Sequence, residues 1–114
     1  MMDDRLPAHV EAAALLRRIE AEGGFGTVLH KGDPDRGSLV LLIYERGKFR
    51  GTLERGLAAD FTYRWAHREP AEFAGSGRIE QFVEKRAQLD PDLWLIELDI
   101  AEPERFIAET TSQG

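Results

Sequence analysis

Four arginines, Arg50, Arg55, Arg64 and Arg68, are the side chains of this sequence best suited to holding a charged ligand. A guanidinium presents a planar fork of donors that matches a carboxylate or phosphate two bonds at a time. Arg50 and Arg64 are expected on the polar faces of nearby strands, with Arg55 and Arg68 at loop ends, so that a cationic patch for a small anionic ligand or an acidic partner would form. The commoner use of such residues is salt bridging, here to Glu45, Glu54, Glu69 and Glu72. A second grouping sets Arg17-Arg18, near a helix carboxyl end, against Asp90 and Asp92 beside Trp94; arginine clamping an Asp-Pro-Asp corner is a structural role, and we expect that role here.

Hydrolytic chemistry finds weaker support. Pro34-Asp35 before a strand, Glu45 at its end and Lys48 after it resemble the acidic residues and lysine with which a restriction-endonuclease-like core binds a divalent metal and aims water at a phosphodiester. The spacing argues against it. Glu45 and Lys48 are separated by a turn, and Asp33-Pro34-Asp35 is explained as turn chemistry. Asp33, Asp35 and Gly37 open like a calcium loop but lack its closing glutamate, and His9, His30 and His67 fall on three elements without ligand spacing. Ser38, Ser76 and Ser112 have no nucleophile-elbow context, and Ser76 reads better as a helix cap. No catalytic residue, metal ligand or cofactor is assigned.

The elements that would position these residues are legible from periodicity. Ala8, Ala12, Leu15, Leu16 and Ile19 make one stripe of a helix over 8–22, entered at Pro7 and stopped by Gly23-Gly24. Val10 and Ala14 form a second, weaker apolar strip on that helix. A strand over 25–31, a Gly-Asp-Pro turn over 32–37 and a strand over 38–45 follow; the run Leu39 to Tyr44 is apolar on both faces and therefore buried. Arg46-Gly47 reverses the chain into a strand over 48–54, and Phe61, Tyr63 and Trp65 alternate in a fourth. Ile79, Phe82, Val83, Arg86 and Leu89 share one face of a second helix, which Asp90-Pro91 ends. In the segment that follows, Trp94, Ile96, Leu98 and Ile100 alternate with Glu97 and Asp99, while Leu93 and Leu95 lie on the other side. That pattern describes a central strand covered on both faces at its start, and its arrival by way of a helix allows it to run parallel to an earlier strand. A last helical turn is expected over 103–108.

With 114 residues and a net charge of -6, the chain suits one domain, over 1–114, that repels a phosphate backbone; nucleic acid is not an expected partner. It contains no cysteine, which removes disulfides, thiolate metal sites and a cysteine nucleophile. No apolar stretch approaches the roughly 18 residues of a membrane span, and no leader pattern is present, so the expected setting is cytoplasmic with no membrane partner. Residues 1–4 and 109–114 are expected to fray.

The segments from Arg5 to Leu39 and from Asp90 to Ile107 resemble a small bacterial family catalogued as domain of unknown function 1491. The resemblance is carried by Arg17-Arg18, the Gly24-Phe25 entry to the first strand, the Gly32-Asp33 turn and the block Asp90-Pro91-Asp92-Leu93-Trp94. Residues from Gly47 to Phe73 depart from its pattern, and it implies no activity, cofactor or catalytic residue.

The expected object is an α+β domain with a small, mostly antiparallel sheet of four to five strands packed with two main helices, in the order α-β-β-β-(β)-α-β. It is expected to act as a protein-interaction or ligand-binding module, with an unknown protein or a small anionic ligand as partner. A homodimer through a strand edge or the Val10-Ala14 strip is one expected assembly. The alternative is a metal-dependent phosphodiesterase or other small enzyme.

Overall fold

A computed structural model of the chain describes residues 6–75 and 77–112. Its first helix, α1 (Ala8–Ala21), starts at Pro7 without a side-chain cap. The first amides of a helix have no partner inside it. Here Ala8 N–H donates to the carbonyl of Asp35 (3.1 Å) and His9 N–H to that of Pro34 (2.8 Å), so the Gly-Asp-Pro turn predicted from the sequence caps the helix from a distance. Ala8, Ala12 and Ile19 on the predicted stripe are buried.

Five strands follow among the described residues: β1 (Phe25–His30), β2 (Leu39–Glu45), β3 (Lys48–Leu57), β4 (Tyr63–Arg68) and β5 (Trp94–Asp99). Between β4 and β5 run a 3-10 turn (Pro70–Phe73) and α2 (Arg78–Leu89), and the chain ends in α3 (Pro103–Ser112). The sheet order is β1-β5-β2-β3-β4. β5 pairs antiparallel with β1 and parallel with β2, while β2, β3 and β4 form an antiparallel meander. The segment around Trp94 is thus the central strand that its two-sided pattern demands.

Alternation along β5 and β2 builds two cores. Ile96, Leu98, Trp94, Leu41, Ile43 and Leu53 pack under α1 and under Phe106 of α3. On the opposite face Leu93, Leu95, Val40 and Leu42 pack beneath Ile79, Phe82, Val83 and Ala87 of α2. An edge-to-face series from Tyr44 through Phe49 and Phe73 to Phe82, with centroids 5.1–5.6 Å apart, continues that second core toward the 3-10 turn.

Several details differ from the sequence reading; β4 begins at Tyr63, and Phe61 lies before it in a turn at positive φ (66°), 83% exposed. α3 runs to Ser112 rather than stopping after one turn, so residues 109–112 are helical, and the fold carries a third helix. β3 extends three residues further, to Leu57, because β4 pairs with it out to Leu57↔Tyr63. Leu89, placed on the apolar stripe of α2, is 72% exposed, and Ala87 turns inward instead. The cap of α2 is Gly77, in the left-handed region (φ 74°); Ser76, residues 1–5 and residues 113–114 lie outside the described residues.

Arg46-Gly47 reverses the chain with both residues at positive φ (50° and 81°), the geometry that suits the twist of a two-residue hairpin. Arginine rarely enters this region. The Asp99 carboxylate accepts the amides of Arg46 and Gly47, each at 2.9 Å, and so holds the turn against the end of the central strand.

Candidate functional site

The structure separates the four arginines expected to form a patch. Arg50 and Arg55 project onto the α1/α3 face, where Arg50 pairs with Glu45 (2.6 Å) and with Glu104 of α3, and Arg55 meets Glu11 of α1 through two bonds of 2.8 Å. Arg64 and Arg68 alternate onto the α2 face; Arg64 pairs with Asp60 (2.8 Å), and Arg68 with Glu72 (3.1 Å) while lying 4.6 Å over Phe73. Each guanidinium already holds a carboxylate, so an anionic ligand would have to displace one.

Arg55 belongs to a structural device. Its fork to Glu11 ties β3 to α1, and its guanidinium stacks 5.0 Å over the Trp65 ring. The adjacent Glu54 makes the mirror-image tie, receiving both arms of Arg86 from α2 (2.9 and 2.5 Å). Two consecutive residues of β3 therefore fasten helices to opposite faces of the sheet. The Arg55 and Glu11 side chains are only 11% and 25% exposed. Removing one member of such a pair strands the other, so Arg55→Ala is expected to cost about 2 kcal/mol in urea unfolding, discounted from the fully buried case for residual solvent. A loss below about 0.5 kcal/mol would reduce the pair to an ordinary surface contact.

Asp90, Asp92 and Trp94 do meet at a corner, but arginine does not clamp it. Asp33 N–H donates to the Asp92 carbonyl (3.0 Å), Trp94 Nε1–H to the Asp33 carbonyl (2.8 Å), and His30 Nδ1–H to the Leu93 carbonyl (2.7 Å). The Asp33 carboxylate accepts the amides of Arg36 (2.7 Å) and Asp35 (2.9 Å), which hold it below the usual carboxylate range. Arg17 and Arg18 lie near the carboxyl end of α1, beside the far end of β5, where Arg18 pairs with Glu22 (3.3 Å) and Glu109 (3.7 Å). The phosphodiesterase constellation is likewise not assembled: Asp35 precedes β2 and Glu45 ends it, roughly 20 Å apart for a strand of seven residues. Each histidine bonds a main-chain carbonyl: His9 that of Pro34, His30 that of Leu93 and His67 that of Arg50. No cluster of three potential metal ligands occurs among the described residues.

What the sequence reading missed is a trough of about 330 Å³ beside α2. Leu29 of β1, Glu97 of β5 and Leu42 and Tyr44 of β2 make its floor, Ile79 and Val83 its wall, and Glu80 and Glu84 its rim. Helical spacing puts Glu80 and Glu84 one turn apart at the margin of the stripe that holds Ile79 and Val83, while Glu97 shares a sheet face with Leu95. Burial, followed by the charges of Glu97 and Glu80, raises the Tyr44 phenol above its ordinary value, so at neutral pH it stays a protonated donor. Among the described residues, none of the three glutamates has an ion-pair partner.

That lack of pairing distinguishes the trough from two other concavities. A cleft of about 510 Å³ between α1 and α3 is rimmed by charges that neutralise one another: Arg18 with Glu22 and Glu109, and Arg105 with Glu102 and Glu109. A pocket of about 330 Å³ near His67 is closed by the Arg50–Glu104 pair. An apolar floor under uncompensated negative charge suits a cationic segment with an apolar side. Val10, on the strip considered for a homodimer, is 36% exposed on α1.

Among known proteins, the sequence profile of a family described as a protein of unknown function (DUF1491) matches residues 6–108. The fold is similar to the crystal structure of a DUF1491 family protein from Caulobacter crescentus CB15, with 26% identity over 83% of this chain and 88% of that one, and a TM-score of 0.70. The NMR structure of a DUF1491 family protein from the same organism is similar at 28% identity over 85% and 87%, also with a TM-score of 0.70. The solution structure of protein Atu0922 from A. tumefaciens aligns at 27% identity over 86% and 88%, with a TM-score of 0.62. No curated protein matches.

Proposed function

The chain belongs to the DUF1491 family, and from that premise we propose that the domain is a protein-binding module whose recognition surface is the trough between α2 and β1. The observation that carries the reading is the contrast in charge pairing. The arginines expected to bind a ligand are bound to carboxylates, whereas Glu80, Glu84 and Glu97 sit among apolar groups without an ion-pair partner among the described residues. A net charge of -6 adds long-range attraction for a basic segment. The partner segment therefore carries lysine or arginine beside leucine-like side chains. No catalytic step is assigned.

The test is titration of isotope-labelled protein with a leucine/lysine peptide of about 14 residues, roughly four helical turns. Amide shifts should concentrate at Leu29, Tyr44, Glu80, Val83 and Glu97. Reversing two rim charges together, Glu80→Lys with Glu84→Lys, should weaken binding by about tenfold or more, while thermal stability changes little because both side chains are exposed. Equal binding by the reversed variant, or shifts scattered away from the trough, would refute the assignment.

A further inference from the structure

We infer that the segment held by this trough is an α-helix lying over β1 and β5 beside α2, where it completes the second helical layer. The inference rests on the binding-module reading and specifies the shape of the partner.

The two faces of the sheet are covered unequally. Five strands at about 4.8 Å spacing span roughly 19 Å, and packed helices lie about 8–10 Å apart, so each face has room for two. One face carries α1 and α3; among the described residues the other carries α2 and, toward β3 and β4, the short 3-10 turn. α2 seals the start of β5, where Leu93 and Leu95 are fully buried, and leaves the β1 side bare. There Phe25, Thr27 and Leu29 stand in a row along β1, Phe25 at 75% exposure and Leu29 at 42%, with Glu97 paired opposite Thr27. The strip is two strands wide, about one helix diameter.

Charge fixes the character of the missing helix. Glu80 and Glu84 line the α2 side of the strip one turn apart, so cationic residues spaced i, i+4 along a parallel or antiparallel partner helix would meet both. The apolar side of the same helix would then rest on Phe25 and Leu29.

Strand addition to the free edge of β1 is the competing geometry, and the edge is poorly made for it. The register of β1 shifts between Val28 and His30, a bulge that interrupts the row of outward amides and carbonyls an added strand must read. The edge is blunted while the face stays open.

Two peptides of identical leucine/lysine composition separate the geometries, one patterned for a helix and one alternating for a strand. The helical pattern should bind more tightly, gain helical circular dichroism on binding and shift the Phe25, Thr27 and Leu29 resonances. Phe25→Asp should weaken its binding about tenfold with unchanged thermal unfolding, since the ring it removes is largely in solvent. Preferential binding of the alternating peptide, with new exchange protection of β1 amides, would overturn the helix and leave the module standing. If neither peptide binds, both fall.

Discussion

Replacing Gly32 by alanine is expected to remove about 3 kcal/mol or more of stability, because the added methyl would sit inside fixed main chain. A Cβ built at Gly32 lies 2.0 Å from the Asp92 carbonyl oxygen, 2.4 Å from its carbon and 2.7 Å from the carbonyl carbon of Leu93. None of these is the loose end of a side chain. Relief requires the turn after β1 to move off the segment entering β5, which would break the Asp33–Asp92 and Trp94–Asp33 hydrogen bonds and draw away the carbonyls that cap α1. Gly37 is held the same way, with its would-be Cβ 2.3 Å from the Asp92 oxygen. Urea unfolding followed by Trp fluorescence measures the loss; a change under about 1 kcal/mol would show that the two segments are not pressed together as described.

Truncating Ile96 to alanine is expected to cost about 4 kcal/mol, within the 2–5 kcal/mol found for removing a large aliphatic side chain from a packed core. Ile96 is fully buried at the middle of the central strand, facing the α1 side, with Leu41 beside it across the parallel pairing and Val28 across the antiparallel one. Neighbours on both flanking strands are fixed by hydrogen bonds and cannot collapse into the space. Against a typical total of 5–15 kcal/mol, this one change would leave the domain marginal. A chemical denaturation midpoint that moves by an amount worth less than about 1.5 kcal/mol would mean that the site can repack.

The central strand was readable because its pattern is two-sided: Leu93 and Leu95 facing one way and Trp94, Ile96 and Leu98 the other can be satisfied only by layers on both faces, and the structure supplies them. The length of α3 was not readable. Thr110, Thr111 and Ser112 are poor helix formers, and beyond Phe106 and Ile107 nothing continues an apolar stripe; the extension is set by tertiary contacts, including Arg18 with Glu109. The arginine patch failed on parity. Arg50 and Arg55 are an odd number of residues apart and should face opposite ways on a regular strand, but the register of β2 and β3 shifts between Leu42 and Tyr44, and Gly51 takes φ 108°. A bulge of this kind leaves little mark in sequence beyond an isolated glycine. The trough has no signature in the sequence because its acids come from a helix margin and a strand 13 residues further on, each of which reads alone as a wetted surface.

Because β5 is wedged between β1 and β2, these two consecutive strands never touch as a ladder, and β1 finds its partner only in a segment from the last quarter of the chain. During synthesis β1 has no sheet partner until residues 94–99 leave the ribosome, so the amino-terminal third cannot settle early by pairing. Completion of the sheet consequently comes last, and a nascent chain arrested before Trp94 would leave β1 unpaired beside a β2-β3-β4 meander.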